Sequence, residues 1–187
     1  MARTPSNMLP LGTKAPDFEL PDTVSGKDLS LEAVGGTAGT VIMFICNHCP
    51  FVKHVNPEIV RLARDYEDSG IGFAAISSND VEHYPDDHPD KMKATAAEEG
   101  YSFPYLYDAS QETAHAYQAA CTPDFYLFGP DLKLVYRGQL DSSRPGNDMP
   151  LNGEDLRHAL DCLLEGRPIP EDQKPSIGCN IKWKTNS

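Results

Sequence analysis

The chain has 187 residues, 40% of them hydrophobic, enough to bury the core of one compact domain. Its 28 acidic and 16 basic side chains leave a formal net charge of −12, and a uniformly acidic protein is repelled by nucleic acid and by anionic membrane surfaces. Neither nucleic acid nor membrane is therefore expected as a partner, and small molecules or basic protein patches fit better.

The N-terminal stretch MARTPSNMLPLGTKAPDF has no apolar core of signal-peptide length, and no later run approaches the roughly 18 apolar residues of a membrane span. A cytoplasmic setting is expected. Residues 1–10 read as an arm, 11–167 as the domain and 168–187 as an irregular tail whose apolar residues, Trp183 among them, dock on that domain. APDFELPDTVSGKDLSLEAVGG alternates apolar and polar residues around Ser25-Gly26, which predicts an N-terminal hairpin. TVIMFIC (40 to 46) is a continuous apolar, β-branched run, the pattern of a strand covered on both faces.

After Cys49 the apolar positions Val52, Val55, Ile59, Leu62 and Tyr66 trace one face of a helix expected to end at Gly70. Pro50 suits its first turn, where backbone N–H groups have no intrahelical partner, and Pro57 is expected to bend it. IGFAAIS (71 to 77) predicts a second buried strand, and HPDKMKATAAEEG (88 to 100) a helix with Gly100 past its end. FPYLYD reads as a short strand, SQETAHAYQAA as a short helix, and PDFYLFGPDLKLVYRG as two strands joined through Gly129-Pro130. GEDLRHALDCLLEG is the last helix, with Asn152 expected as its N-cap. The alternation implies an α/β fold with a central mixed sheet and helices on both faces.

Cysteines 46, 49, 121, 162 and 179 form an odd, uneven set, unlike a disulfide framework. In a reducing compartment a Cys-x-x-Cys pair is catalytic or metal-binding more often than structural. Cys46 and Cys49 fall where a buried strand turns into a helix. The helix dipole and unpaired N–H groups are expected to favour a thiolate at Cys46, with Cys49 one turn away to close a disulfide. His48, between them, adds stabilisation when it is protonated or donates a hydrogen bond. Zinc is the competing reading, with Cys46, Cys49 and His54 as ligands, but a structural site wants four ligands and no second such pair exists. Two inert core cysteines are the other alternative. No metal and no cofactor is expected.

LGTKAPDFELPD, VIMFICNHCPF and CTPDFYLF resemble thioredoxin-fold proteins of the peroxiredoxin-like branch, related to alkyl hydroperoxide reductases and thiol-specific antioxidant proteins. The likeness runs from about residue 10 to about 165. It implies a thioredoxin-like fold, a cis Thr122-Pro123 bond facing the cysteines, and a thiol-disulfide oxidoreductase acting on a protein or small-molecule thiol or disulfide. Cys46 is then the nucleophile, Cys49 the resolving thiol, His48 the tuning residue and Thr122-Pro123 the wall of the substrate groove. Against the peroxiredoxin pattern, Met43 and Gly39 stand where a threonine and a proline belong, and the Thr122 region replaces an arginine. Thr40 stands where thioredoxins keep a buried aspartate. A weak thiol peroxidase and a copper- or zinc-binding thioredoxin-fold protein are the alternatives.

Four further features carry smaller expectations. Cys121 is a core residue or a third thiol near the site, and Cys162 falls on the apolar face of the last helix. Arg137 and Arg144 lie in a loop that reads as an ordinary turn or a substrate contact. His83 and His88 sit in the acidic stretch DVEHYPDDHPD, read as solvated charge with a weak cation site as the alternative.

Overall fold

The computed structural model describes residues 3–185, and the apolar run from 39 to 44 forms its central strand with every residue buried. In chain order the elements are β1 (Arg3–Pro5), β2 (Glu19–Pro21), β3 (Asp28–Ser30), α1 (Leu31–Val34), β4 (Gly39–Phe44), α2 (Pro50–Asp65) and β5 (Ile71–Ser77). They continue as α3 (Pro89–Glu99), β6 (Tyr105–Tyr107), α4 (Glu112–Ala116), β7 (Cys121–Thr122), β8 (Asp124–Phe128), β9 (Leu134–Gly138), α5 (Glu154–Leu164) and β10 (Ile177–Asn180).

A five-stranded mixed sheet runs β6-β5-β4-β8-β9, with β4, β5 and β6 parallel and β8 and β9 antiparallel to their neighbours. Alternation along β4 sends side chains to two cores. Val41 and Met43 pack with Val52, Val55, Ile59 and Leu62 of α2 and Leu156 of α5. Ile42 and Phe44 pack with Leu20 of the N-terminal hairpin and with Ala114 and Tyr117 in and after α4. Both faces being covered is why β4 and β5 read as unbroken apolar runs.

The hairpin forms as β2 and β3, with Leu20 opposite Leu29. Directly after β3 the chain turns helical, because the Ser30 hydroxyl accepts the Ala33 N–H and caps α1. α2 stops at Asp65, five residues before Gly70. α3 ends as expected, on Gly100 in the left-handed region at φ 76°. The N-cap of α5 is Gly153, not Asn152: the Asp141 carboxylate accepts both the Asn152 and Gly153 N–H groups, and Asn152 Oδ1 accepts the Glu154 N–H at 3.1 Å.

The tail departs most from expectation. Instead of being irregular throughout, it contributes β10, the middle strand of a second sheet, β1-β10-β7. Arg3 and Thr122 lie opposite Cys179 on its two sides. Gly178 permits this approach, since a Cβ there would fall 1.8 Å from the Thr122 carbonyl oxygen. Trp183 stacks on His115 with ring centroids 4.3 Å apart. Among the described residues no helix is long and apolar enough to cross a membrane.

Candidate active site

β4 ends at Phe44, and five residues later Cys49 is the N-cap of α2, followed by Pro50 in the first turn. Cys46 lies in the connecting loop. Both cysteines are buried, at 2% and 0% exposure, and their thiols are close enough to interact. The Thr122 hydroxyl lies 3.5 Å from Cys46 Sγ, and the Thr122 carbonyl accepts from Cys49 Sγ at 3.4 Å. The Thr122-Pro123 peptide is cis, as the resemblance implies. One residue, reached across 73 positions of sequence, thus touches both cysteines.

Asp87 organises the other side of the loop. Completely buried, it accepts the Asn47 N–H at 2.8 Å, the His48 N–H at 3.3 Å and the Asn79 amide at 2.8 Å. Its Oδ2 meets His48 Nδ1 at 2.5 Å. Asn47 is held from behind by the Tyr105 hydroxyl, which donates to its Oδ1 at 2.8 Å. The His48 ring stacks parallel to Tyr84 at 5.8 Å, and the Lys182 ammonium lies 5.6 Å from the Tyr84 ring centre. A cleft lined by Asn47, His48, Lys53, Asp86, Lys91 and Glu98 opens beside this loop.

Ionisation of the pair is easier at Cys49, which on losing its proton gives up the bond to the Thr122 carbonyl. A hydrogen bond from Cys46, opposed by burial and helped by the Cys179 thiol and the backbone amides of Val52 and Cys179, lowers its thiol to about 5. The Val52 amide acts without closing a full capping hydrogen bond. Cys46 is raised well above the ordinary thiol range by its hydrogen bond to Cys49, by burial and by the Asp87 charge. The sequence alone points to Cys46 instead. Cys49, not Cys46, stands at the helix start, and Cys46 faces a carboxylate that the sequence does not announce.

His48 is paired with the same carboxylate: its bond to Asp87, opposed by burial, raises its pKa, and donor atoms of Cys46, His48 and Asp87 lie within 4.8 Å of one another. Burial pushes Asp87 up, but the bonds from His48 and Asn79 and the Asn47 amide outweigh it and hold the carboxyl below its ordinary range.

Among the described residues, one group offers three donor atoms within 4.8 Å of one another: Cys46, His48 and Asp87. His54 is not part of it, since its Nε2 pairs with Ser143 Oγ at 2.7 Å. Asp87 already accepts four hydrogen bonds, so a cation would have to displace them.

The AhpC/TSA family pattern matches residues 11–137, more than half of the chain. The chain belongs to the AhpC/TSA family. It is similar to an uncharacterized conserved protein from Geobacillus kaustophilus, with 62% identity and a TM-score of 0.98, covering 100% of this chain and 99% of that one. A hypothetical protein from Sinorhizobium meliloti 1021 is 44% identical at a TM-score of 0.95, covering 98% and 100%. The thioredoxin domain of a thiol-disulfide oxidoreductase from Bacteroides vulgatus shares the fold, with a TM-score of 0.60, 19% identity and 80% and 97% coverage. No curated protein matches the chain.

Within this family member the departures have clear places. Met43 is buried in β4 and brings no hydroxyl to Cys46. The Thr40 hydroxyl accepts the Gly36 N–H at 3.2 Å, a structural bond. Arg137 donates to the Leu9 carbonyl and Gln173, and Arg144 to Asp141, Ser143 and Gln139, so both guanidinium groups hold loops. Cys121 and Cys162 are buried, with the Cys121 thiol directed at the Pro123 carbonyl at 3.8 Å. His83 pairs with Asp80 at 2.6 Å, and His88 caps α3.

Three site residues escaped sequence reasoning: Asp87, Asn79 and Cys179. Asp87 was hidden among the charges of DVEHYPDDHPD. For Cys179 a signal existed, because Cys179 and Ile181 are buried on either side of exposed Asn180, the alternation of a half-covered strand.

Proposed function

We propose that the protein is a thiol-disulfide oxidoreductase in which Cys46 attacks the substrate disulfide and Cys49 resolves the product. The observation that carries this reading is the placement of both sulfurs against Thr122 at the start of α2, with its hydroxyl 3.5 Å from Cys46 Sγ and its carbonyl accepting from Cys49 Sγ at 3.4 Å. The Cys49 thiolate takes the Cys46 proton as Cys46 attacks. A thiolate of higher pKa is the stronger nucleophile once formed, so an adjacent base makes Cys46 effective. A bond forms between Cys46 Sγ and one substrate sulfur, and the other sulfur leaves with a proton from His48, whose charged form is favoured by its bond to Asp87.

Cys49 then attacks Cys46 Sγ, and its proton passes to the second leaving sulfur. The substrate disulfide has gained two electrons and two protons, and the chain holds a Cys46–Cys49 disulfide for an external thiol to reduce. Substrate approaches past His48 and the Thr122-Pro123 wall. A cytoplasmic setting suits this reaction, because reductants there resupply the pair.

Family membership favours a second reading, a slow thiol peroxidase. Here Cys46 attacks the peroxide O–O bond to give a sulfenic acid, and Cys49 condenses with it to release water. The Thr122 hydroxyl, 3.5 Å from Cys46, is the side-chain donor at hand.

Turnover of a disulfide peptide with dithiothreitol as electron donor tests the main reading. Wild type should exceed the rate with dithiothreitol alone, Cys46→Ser should not, and Cys49→Ser should accumulate a mixed disulfide on Cys46. Equal rates for wild type and Cys46→Ser would refute the assignment.

A further inference from the structure

Cys49 has a second sulfur neighbour. Its thiol interacts with the Cys46 thiol and also with the thiol and backbone amide of Cys179 in β10. All three cysteines belong to one buried cluster, at 2%, 0% and 2% exposure for Cys46, Cys49 and Cys179. The position of Cys179 is held by backbone. It lies opposite Thr122, whose carbonyl accepts from Cys49 Sγ at 3.4 Å. β10 is fastened beyond both ends, by Ser176 N–H to Ser6 Oγ at 2.8 Å and Ile181 N–H to the Ala120 carbonyl at 3.0 Å. Gly178 keeps the strand close to Thr122.

We propose that Cys179 is a third redox-active thiol, which accepts the disulfide from the Cys46–Cys49 pair as a Cys49–Cys179 bond. The proposal rests on the oxidoreductase reading above, since that reaction supplies the oxidised pair. Cys179 Sγ, once deprotonated, attacks Cys49 Sγ. The Cys49–Cys179 bond forms, the Cys46–Cys49 bond breaks, and Cys46 leaves as a thiolate that takes up the proton Cys179 released. No electrons enter or leave the chain, and only the site of the disulfide changes.

The exchange needs Cys49 within reach of an attacking and a leaving sulfur, and it interacts with both thiols. Burial and the neighbouring Cys49 push the Cys179 thiol up to about 12 in the dithiol state. Once Cys49 is in a disulfide it carries no charge, and that part of the opposition disappears. The result is a chain that keeps its oxidising equivalent while Cys46 returns to a thiol. It also ties the C-terminal strand covalently to the start of α2.

The test is disulfide mapping of the full chain after oxidation with diamide, acid quenching, alkylation and proteolysis, with fragment spectra separating Cys46 from Cys49. Wild type should yield a Cys49–Cys179 cross-link whose partner Cys46 is alkylated. Cys46→Ala should form the same cross-link with loss of the alkyl label from both Cys49 and Cys179. If wild type forms only Cys46–Cys49, and Cys49 and Cys179 stay fully alkylated in Cys46→Ala, the third thiol is disproved while the oxidoreductase reading stands. If neither disulfide forms, both fall together.

Discussion

Asp87 Oδ2 lies 2.5 Å from His48 Nδ1, and the same carboxylate accepts the backbone N–H groups of Asn47 and His48. The two residues between the cysteines are thereby held through both backbone and side chain. Fixing the loop this way sets where Cys46 stands relative to α2 and leaves His48 with one ring nitrogen bound. After the hydrogen bond to Cys49 and burial, the same negative charge adds to the opposition against ionising Cys46. A buried acid thus positions the loop and adds to the effects that keep Cys46 protonated.

The first prediction is a thiolate titrating near about 5 that belongs to Cys49. Ultraviolet thiolate absorbance across pH should show this step in wild type and lose it in Cys49→Ser. A step abolished by Cys46→Ser but intact in Cys49→Ser would place the charge on the wrong sulfur.

Removing the Asp87 charge should change the chemistry through His48. In Asp87→Asn the His48 pKa should fall back toward its ordinary 6.5, because the bond that raises it is gone. The alkaline limb of the peptide-reduction profile should move to lower pH, and His48→Ala should slow reduction by about a hundredfold. An alkaline limb unmoved by Asp87→Asn would remove His48 as the proton donor.

Stability should follow the same pair, with signs that can be worked out. His48 is raised, so its contribution is complete below about 6.5 and disappears as pH rises through the higher folded value. Asp87 is lowered, so its contribution is complete above about 3.8 and disappears as pH falls through the lower folded value. Asp87→Ala should therefore cost most between these limits, about 3 kcal/mol. Denaturant melts of wild type and variant across pH will read the difference, and a gap that does not change with pH would deny the ionic part.

Oxidation by hydrogen peroxide should be slow, near the rate of an ordinary thiolate. Met43 offers no hydrogen bond where a peroxide oxygen would develop charge, and Arg137 and Arg144 are committed to loops. Stopped-flow measurement decides this, and a rate orders of magnitude faster would favour the peroxidase reading.

Gly178→Ala should push β10 away from β7, because the new methyl group would meet the Thr122 carbonyl at 1.8 Å. A loss of about 3 kcal/mol is expected, with weaker protection of the Cys179 amide from hydrogen exchange. Wild-type stability and protection in this variant would mean that the strands are not held as described.

Much of this was legible in the chain itself. Unbroken apolar runs announced β4 and β5, and the spacing of Val52, Val55, Ile59 and Leu62 announced the buried face of α2. The position of Cys46 and Cys49 between strand and helix came from the same local signals. These are consequences of residue periodicity, which short-range geometry fixes without reference to distant segments. The surroundings of the sulfurs were a different matter. Thr122 came only from the family resemblance, while Asp87 and Cys179 reach them through a loop and a tail strand from 38 to 133 positions away from one or other cysteine. Whether a carboxylate in an acidic run faces water or is buried against a histidine depends on which segments the fold brings over it, and so does whether a tail cysteine meets another sulfur. Hydrogen-bond partners and desolvation are properties of that long-range packing, so the identity of the charged sulfur was decided only in three dimensions.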